Sequence, residues 1–99
     1  MGDYGVEWSE RANFGMAEIR DDPLGFGNAQ TWEYLAAIRR RCDALEFSPN
    51  RGTAVIVRGK RYRRFTHGGH VIWFRVIEPE KRVIIEAVLR RGREPGSVL

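Results

Sequence analysis

Cysteine occurs once in the 99 residues, at Cys42. One thiol excludes an intrachain disulfide and any cysteine-rich zinc site. Histidine occurs twice, at His67 and His70. A closed metal site needs more ligands than that pair, and none stands close by in the sequence, so neither a metal nor a cofactor is expected. Lysine is nearly missing: Lys60 and Lys81 are the only two among 17 basic residues. No apolar run approaches the roughly 20 residues of a membrane helix. The opening, MGDYGVEWSE, lacks the basic-then-apolar order of a secretory signal. Val6 stands where a myristoylation pattern wants Ser or Thr. The expectation is a cytoplasmic protein with no membrane partner.

What is present fits one globular domain over residues 1–99, long enough to bury a core but with little stability to spare. Its charge is unevenly placed. Residues 1–50 carry five Arg and nine acids, a net of −4, whereas residues 51–99 carry twelve Arg or Lys and four acids, a net of +8. A basic half on an otherwise acidic chain points to an anionic partner, either nucleic acid or an acidic protein segment. Arginine suits bidentate pairing with carboxylate and phosphate. A plain solvated strand face accounts for the same charge.

Along the chain, Tyr4, Val6 and Trp8 alternate with polar residues as a short first strand would. Ser9 offers an N-cap, and Ala12, Met16 and Ile19 make a helical stripe over Ser9–Asp21. Gly15 weakens this helix, and Asp22-Pro23 stops it. Leu24–Asn28 reads as a loop, with Asn28 able to cap a second helix. Thr31, Leu35, Ile38, Cys42 and Leu45 mark that helix through about Phe47, with Cys42 as a core residue. Arg39, Arg40 and Arg41 near its C-terminal half read as a solvated face favoured by the helix dipole. Ser48–Gly52 is a turn, and Thr53–Gly59 reads as a loop with at most a short edge strand.

The strands Lys60–His67, His70–Ile77 and Arg82–Arg90 follow, joined at Gly68-Gly69 and at Glu78–Lys81. His70–Ile77 is apolar on both faces, as a central strand is. Val83, Ile85, Ala87 and Leu89 fall on one face of the last strand if it is regular. Residues 92–99 read as a partly mobile tail. The resulting fold class is α+β, ordered β-α-α-β-β-β, with a helical hairpin on one face of an antiparallel sheet. The other face is expected to stay open, with apolar groups rimmed by arginine.

YGVEWSERA, the exit YLAAIRRRCDALEFSPNRG, and RRFTHGGHVIWFRV followed by VIIEAVLRRGRE together resemble the ParE/RelE superfamily of bacterial toxin–antitoxin modules. The resemblance spans roughly Val6 to Glu94. It implies a toxin neutralised by a cognate antitoxin, ParD-like or another acidic antitoxin, in a hetero-oligomeric complex. The superfamily divides into ParE-like members, which block DNA gyrase, and RelE-like members, which cleave mRNA in the ribosome.

RelE-like members place a basic residue just after the glycine–aromatic pair that opens the third strand. Here that pair corresponds to Gly69-His70, and Val71 follows. No Tyr follows Tyr62, and no His follows His70. These departures favour the ParE-like, non-enzymatic reading, with no catalytic residues. In the RelE-like alternative the chemistry falls to Arg64, His67, His70 and Arg93. The residues expected to bind antitoxin or target are Arg61, Arg63, Arg64, Trp73, Arg75, Arg90, Arg91 and Arg93. Arg90 also departs from the family, which often has histidine there.

Overall fold

The computed structural model describes residues 2–22 and 28–99. The elements are β1 (Gly5–Trp8), α1 (Glu10–Arg20), α2 (Asn28–Asp43), a 3-10 turn (Ala44–Glu46), β2 (Thr53–Val57), β3 (Lys60–His67), β4 (His70–Ile77), β5 (Arg82–Arg90) and a last 3-10 turn (Pro95–Ser97). The expected loop before α2 lies outside the described residues, as does any capping by the Asn28 side chain.

Local chemistry explains the helix ends. Ser9 is extended and its Oγ accepts from the Ala12 amide, satisfying one of the first-turn donors. Asp21 closes α1, its amide donating to the Ala17 carbonyl and the next amide, of Asp22, to that of Ile19. The stripe read from α2 is the buried face: Thr31, Leu35, Ile38, Cys42 and, past the helix, Leu45. Gly15 has a reason to be glycine, because a Cβ there would lie 2.4 Å from the Val88 carbonyl oxygen. Its absence lets α1 press onto β5.

The sheet has five strands in the order β1-β5-β4-β3-β2. The meander of β3, β4 and β5 is antiparallel, and β1 lies parallel to β5 from Gly5↔Arg82 to Trp8↔Ile85. Arg82 donates to both carboxylate oxygens of Glu7 at 2.7 and 3.0 Å, clasping the two strands. The segment read as a loop with at most a short edge strand contains that edge strand. Thr53–Val57 pairs antiparallel with Lys60–Arg64 and forms one edge of the sheet. The two-residue connection at Arg58 and Gly59, both at positive φ, makes it a tight hairpin.

The two faces bury separate cores. On the helix face, Ala12, Met16, Leu35, Ile38, Cys42 and Leu45 meet Ile72, Phe74, Val83, Ile85 and Val88. On the second face, Val57, Tyr62, Val71, Trp73, Ala87 and Leu89 cluster together, with Val55, Val98 and Leu99 packed against them. This face is therefore not an open apolar patch. The chain covers it without a helix, using an aromatic edge contact between Tyr62 and Trp73 and the residues after the last 3-10 turn.

The expected single-faced pattern of β5 fails for a specific reason. Trp73 pairs with Ala87 and Phe74 with Ile85, leaving Glu86 as an extra residue. That bulge flips the strand's phase. Val83 and Ile85 serve the helix face, Ala87 and Leu89 serve the second face, and Val88 returns to the helices. The carbonyl released at Glu86 accepts from Ser9 Oγ at 2.9 Å, so the residue that caps α1 also satisfies the bulge.

Candidate functional site

The arginines singled out from the sequence divide by what their guanidinium groups already hold. Arg63 is occupied internally. It donates to the carbonyls of Asn50, Arg51 and Gly52 at 2.6, 2.9 and 3.1 Å and pins the turn between α2 and β2. Arg75 pairs with Glu86 at 3.5 Å, and Arg90 with Asp22 at 3.0 Å. Arg64 stands over the Trp73 ring, 5.6 Å from its centroid, within the range of a cation–π contact. Trp73 is itself only 4% exposed, a core residue with no surface to offer a partner. Arg61, Arg91 and Arg93 are exposed, and none holds a side-chain partner among the described residues. Arg61 lines a groove with Ile56 and Glu78 at the far end of the sheet.

Two clefts lie at the β3–β4 turn end. One, of about 360 Å³, runs between the end of α1 and β5; Glu18, Asp21, Asp22, His70, Arg90 and Arg93 line it. The other, of about 580 Å³, is lined by Arg41, Gly52, Thr53, Arg64, Phe65, Thr66, Val71, Arg91 and Gly92. The RelE-like set is thereby split. His70 and Arg93 share the first cleft, and Arg64 lies in the second. His67 and His70 both make ring contacts with Tyr34 of α2, on the helix face. Arg64 is on the opposite face with Trp73.

Tyr34 is the residue that sequence reasoning passed over. Its hydroxyl donates to the His67 carbonyl at 2.7 Å, lies 2.6 Å from His70 Nδ1, and accepts from the Gly69 amide. With its single proton spent on the carbonyl, the hydroxyl accepts from His70 Nδ1–H, which fixes that tautomer. The tyrosine thus ties the β3–β4 turn to α2. Burial raises the Tyr34 pKa. Burial lowers the pKa of His67, helped by Arg41. It also lowers that of His70, where Arg90 and His67 act in the same direction and Asp22 opposes them. Both imidazoles are therefore neutral at neutral pH. That suits a hydrogen-bonded anchor, and no substrate-facing acid is needed to explain them.

Arg41 was also missed, because helical charge runs usually face solvent. It donates to the Thr66 carbonyl at 2.8 Å and covers the Phe65 ring at 4.3 Å. Arg39 likewise lies over Trp8, 4.6 Å from the ring centroid. Cys42 is fully buried and its thiol is pushed up to about 12 by desolvation, as an inert core residue requires. Among the described residues no group of His, Cys, Asp or Glu is placed to hold a metal ion, and no helix is long and apolar enough to cross a membrane.

Comparison with known proteins bears on the whole arrangement. The chain superposes on a chain of a chromosomal ParDE toxin–antitoxin system from P. aeruginosa with a TM-score of 0.72. That match has 20% identity and covers 89% of this chain and 96% of the other. It also superposes on a chain of the RelBE2 toxin–antitoxin complex from Mycobacterium tuberculosis with a TM-score of 0.66. Here identity is 18%, over 90% of this chain and 99% of the other. At these identities the likeness establishes the fold. A search of curated protein sequences found no match. The family model for the ParE toxin of the parDE type II toxin–antitoxin system matches residues 6–95. The match reaches into every strand of the sheet and takes in both helices, and the chain belongs to the ParE toxin family.

Proposed function

We propose that the protein is a cytoplasmic toxin that acts without catalysis, inhibiting DNA gyrase by binding to it, and that a cognate antitoxin neutralises it. The observation that carries this reading is the ParE family match over residues 6–95. The placement of the charged residues agrees with it. A ribonuclease would need Arg64, His67, His70 and Arg93 around one scissile phosphate. Arg64 lines one cleft, His70 and Arg93 line another on the opposite side, His67 lines neither, and the histidines are held by Tyr34.

The antitoxin reading draws on neighbours that were solved as parts of ParDE and RelBE systems. An acidic segment with apolar anchors suits the unpaired Arg61, Arg91 and Arg93. Arg63, Arg75 and Arg90 are already engaged, so their charge reversal should act first on folding.

The test uses purified gyrase and supercoiled DNA. The expected result is loss of supercoiling with accumulation of enzyme-held cleaved DNA, relieved by the antitoxin. Unchanged supercoiling across a wide toxin range would remove gyrase as the target. Codon-specific mRNA cuts in translating ribosomes, lost in a His67→Ala, His70→Ala double variant, would establish the ribonuclease instead.

A further inference from the structure

The 580 Å³ cleft brings together three arginines from three separate elements: Arg41 of α2, Arg64 of β3 and Arg91 just after β5. Among the described residues none of the three pairs with a carboxylate, and no acidic one lines the cleft. Four other arginines of the basic half are already held. Arg75, Arg82 and Arg90 are each neutralised by a nearby acid, and Arg63 is consumed by carbonyls. Arg51, Arg58, Arg61 and Arg93 also lack a carboxylate partner among the described residues, but none of them lines this cleft, where three unneutralised guanidinium groups meet at one concave place.

The rest of the lining has a matching character. Thr53 and Thr66 are exposed and bring hydroxyl donors. Gly52 and Gly92 leave the wall bare of side chains. Gly52 is fixed as glycine, with φ +79 and a would-be Cβ 2.2 Å from the Arg64 carbonyl. Arg41 and Arg64 are pre-positioned, one on Phe65 and one on Trp73, so little rotamer freedom is left to lose on binding. The apolar lining is confined to Phe65, which Arg41 covers, and Val71. A peptide held by apolar anchors would find few here. A phosphodiester backbone needs forked cations, hydroxyl donors and close backbone approach, and finds all three.

We propose that this cleft binds the phosphodiester backbone of DNA, with Arg41, Arg64 and Arg91 as the phosphate-contacting residues. The choice of DNA rests on the gyrase reading above. The toxin would then hold the strand that gyrase is processing as well as the enzyme.

The test measures binding of the full chain to a fluorescent 20-base-pair DNA duplex, over a range of salt concentrations and without gyrase. An Arg41→Gln, Arg64→Gln, Arg91→Gln variant should bind at least tenfold more weakly. The slope of log affinity against log salt should become shallower by about 2.7, since each duplex phosphate contributes ~0.9. Arg91→Gln alone, which removes no internal contact, should reduce the slope by about 0.9. It guards against misfolding of the triple variant. An Arg11→Gln, Arg40→Gln, Lys81→Gln variant has the same net charge as the triple variant and should keep the wild-type slope within half a unit.

Equal slopes for wild type and the triple variant would overturn the proposal, as would a single-stranded RNA or a polyglutamate peptide displacing the duplex at matched charge. Gyrase inhibition is read separately. If the wild type binds DNA through the cleft but leaves gyrase untouched, the target reading fails and the cleft stands. If gyrase is inhibited equally by the wild type and the triple variant, the cleft does not hold the strand that gyrase is processing, and that part of the proposal fails.

Discussion

The two faces of the sheet solve the same problem with different materials. The helix face buries Phe74, Ile72 and Ile85 under two helices, and all three are fully excluded from solvent. The second face buries Trp73, Tyr62 and Leu89 under two terminal apolar residues, a neighbouring strand and an arginine. Helices provide a rigid lid with its own hydrogen bonds. The second cover has little of that. Most of the hydrogen bonds after β5 are internal to residues 90–99, and Arg58 to the Gly96 carbonyl, 2.9 Å, is a side-chain link from that cover to the rest of the protein. Stability should therefore reside on one side and adaptability on the other. The arginine cleft draws on both sides, with Phe65 and Arg41 from the helix side and Arg64 and Val71 from the other.

The largest effect should distinguish the two aromatic anchors. Phe74→Ala is expected to cost about 3–5 kcal/mol, close to the whole stability of a small domain. Trp73→Ala should fall at the lower end of that range, because its cover can settle into the space left behind. Chemical denaturation of both variants checks this. A greater loss at Trp73 would reverse the ranking of the faces.

Next comes the contact of α1 with β5. Gly15→Ala forces the helix away from the Val88 carbonyl and should cost about 1–3 kcal/mol. Gly69→Ala meets nothing within 4 Å and should change stability by less than about 0.5 kcal/mol. Thermal unfolding of the pair measures helix-face packing against an open turn.

Tyr34→Phe removes the hydroxyl that ties the turn to α2 and should cost about 1–2 kcal/mol. It also bears on pH. Both histidine pKa values are lowered in the folded state from the ordinary 6.5. Above that value neither state is protonated and stability is unaffected. Below it the unfolded chain takes up protons first, so stability falls as pH drops from 6.5 toward the folded values. Unfolding midpoints at pH 7.5 and pH 5 should differ in that direction. A His67→Gln, His70→Asn variant should show a flatter profile.

The smallest effect is expected at the cover of the second face, where Leu99→Ala should cost about 1 kcal/mol or less. A cost comparable to that of Phe74→Ala would mean the two covers are equally rigid.

Much of this architecture was legible from residue patterns, and the misses share a cause. The Ser9 cap, the α2 stripe, the Gly68-Gly69 turn and the central strand each follow from local spacing. β2 reads as no more than a short edge strand in a loop, because TAVIV lies between turn residues and its partner, β3, has to be known first. The bulge at Glu86 is invisible to a period-two count, since only the pairing partner reveals the extra residue. Tyr34 and Arg41 act across 25–36 positions of sequence, on His67, His70 and Thr66, where no helical periodicity could point. Of the arginine surface, composition revealed its existence and sign. Which arginines were already occupied depended on carbonyls and acids brought near by folding.

The pairing of β1 with β5 carries a consequence in time. Trp8 lies beside Ile85, so the first strand has no partner until the last is made. At translation rates of ~5–20 residues per second, that interval is roughly 4–15 s. Throughout it α1 lacks the strand its buried face rests on, and Ser9 lacks the carbonyl it will bond. The sheet is closed by its last strand, and the nascent chain has no complete sheet until β5 has been made.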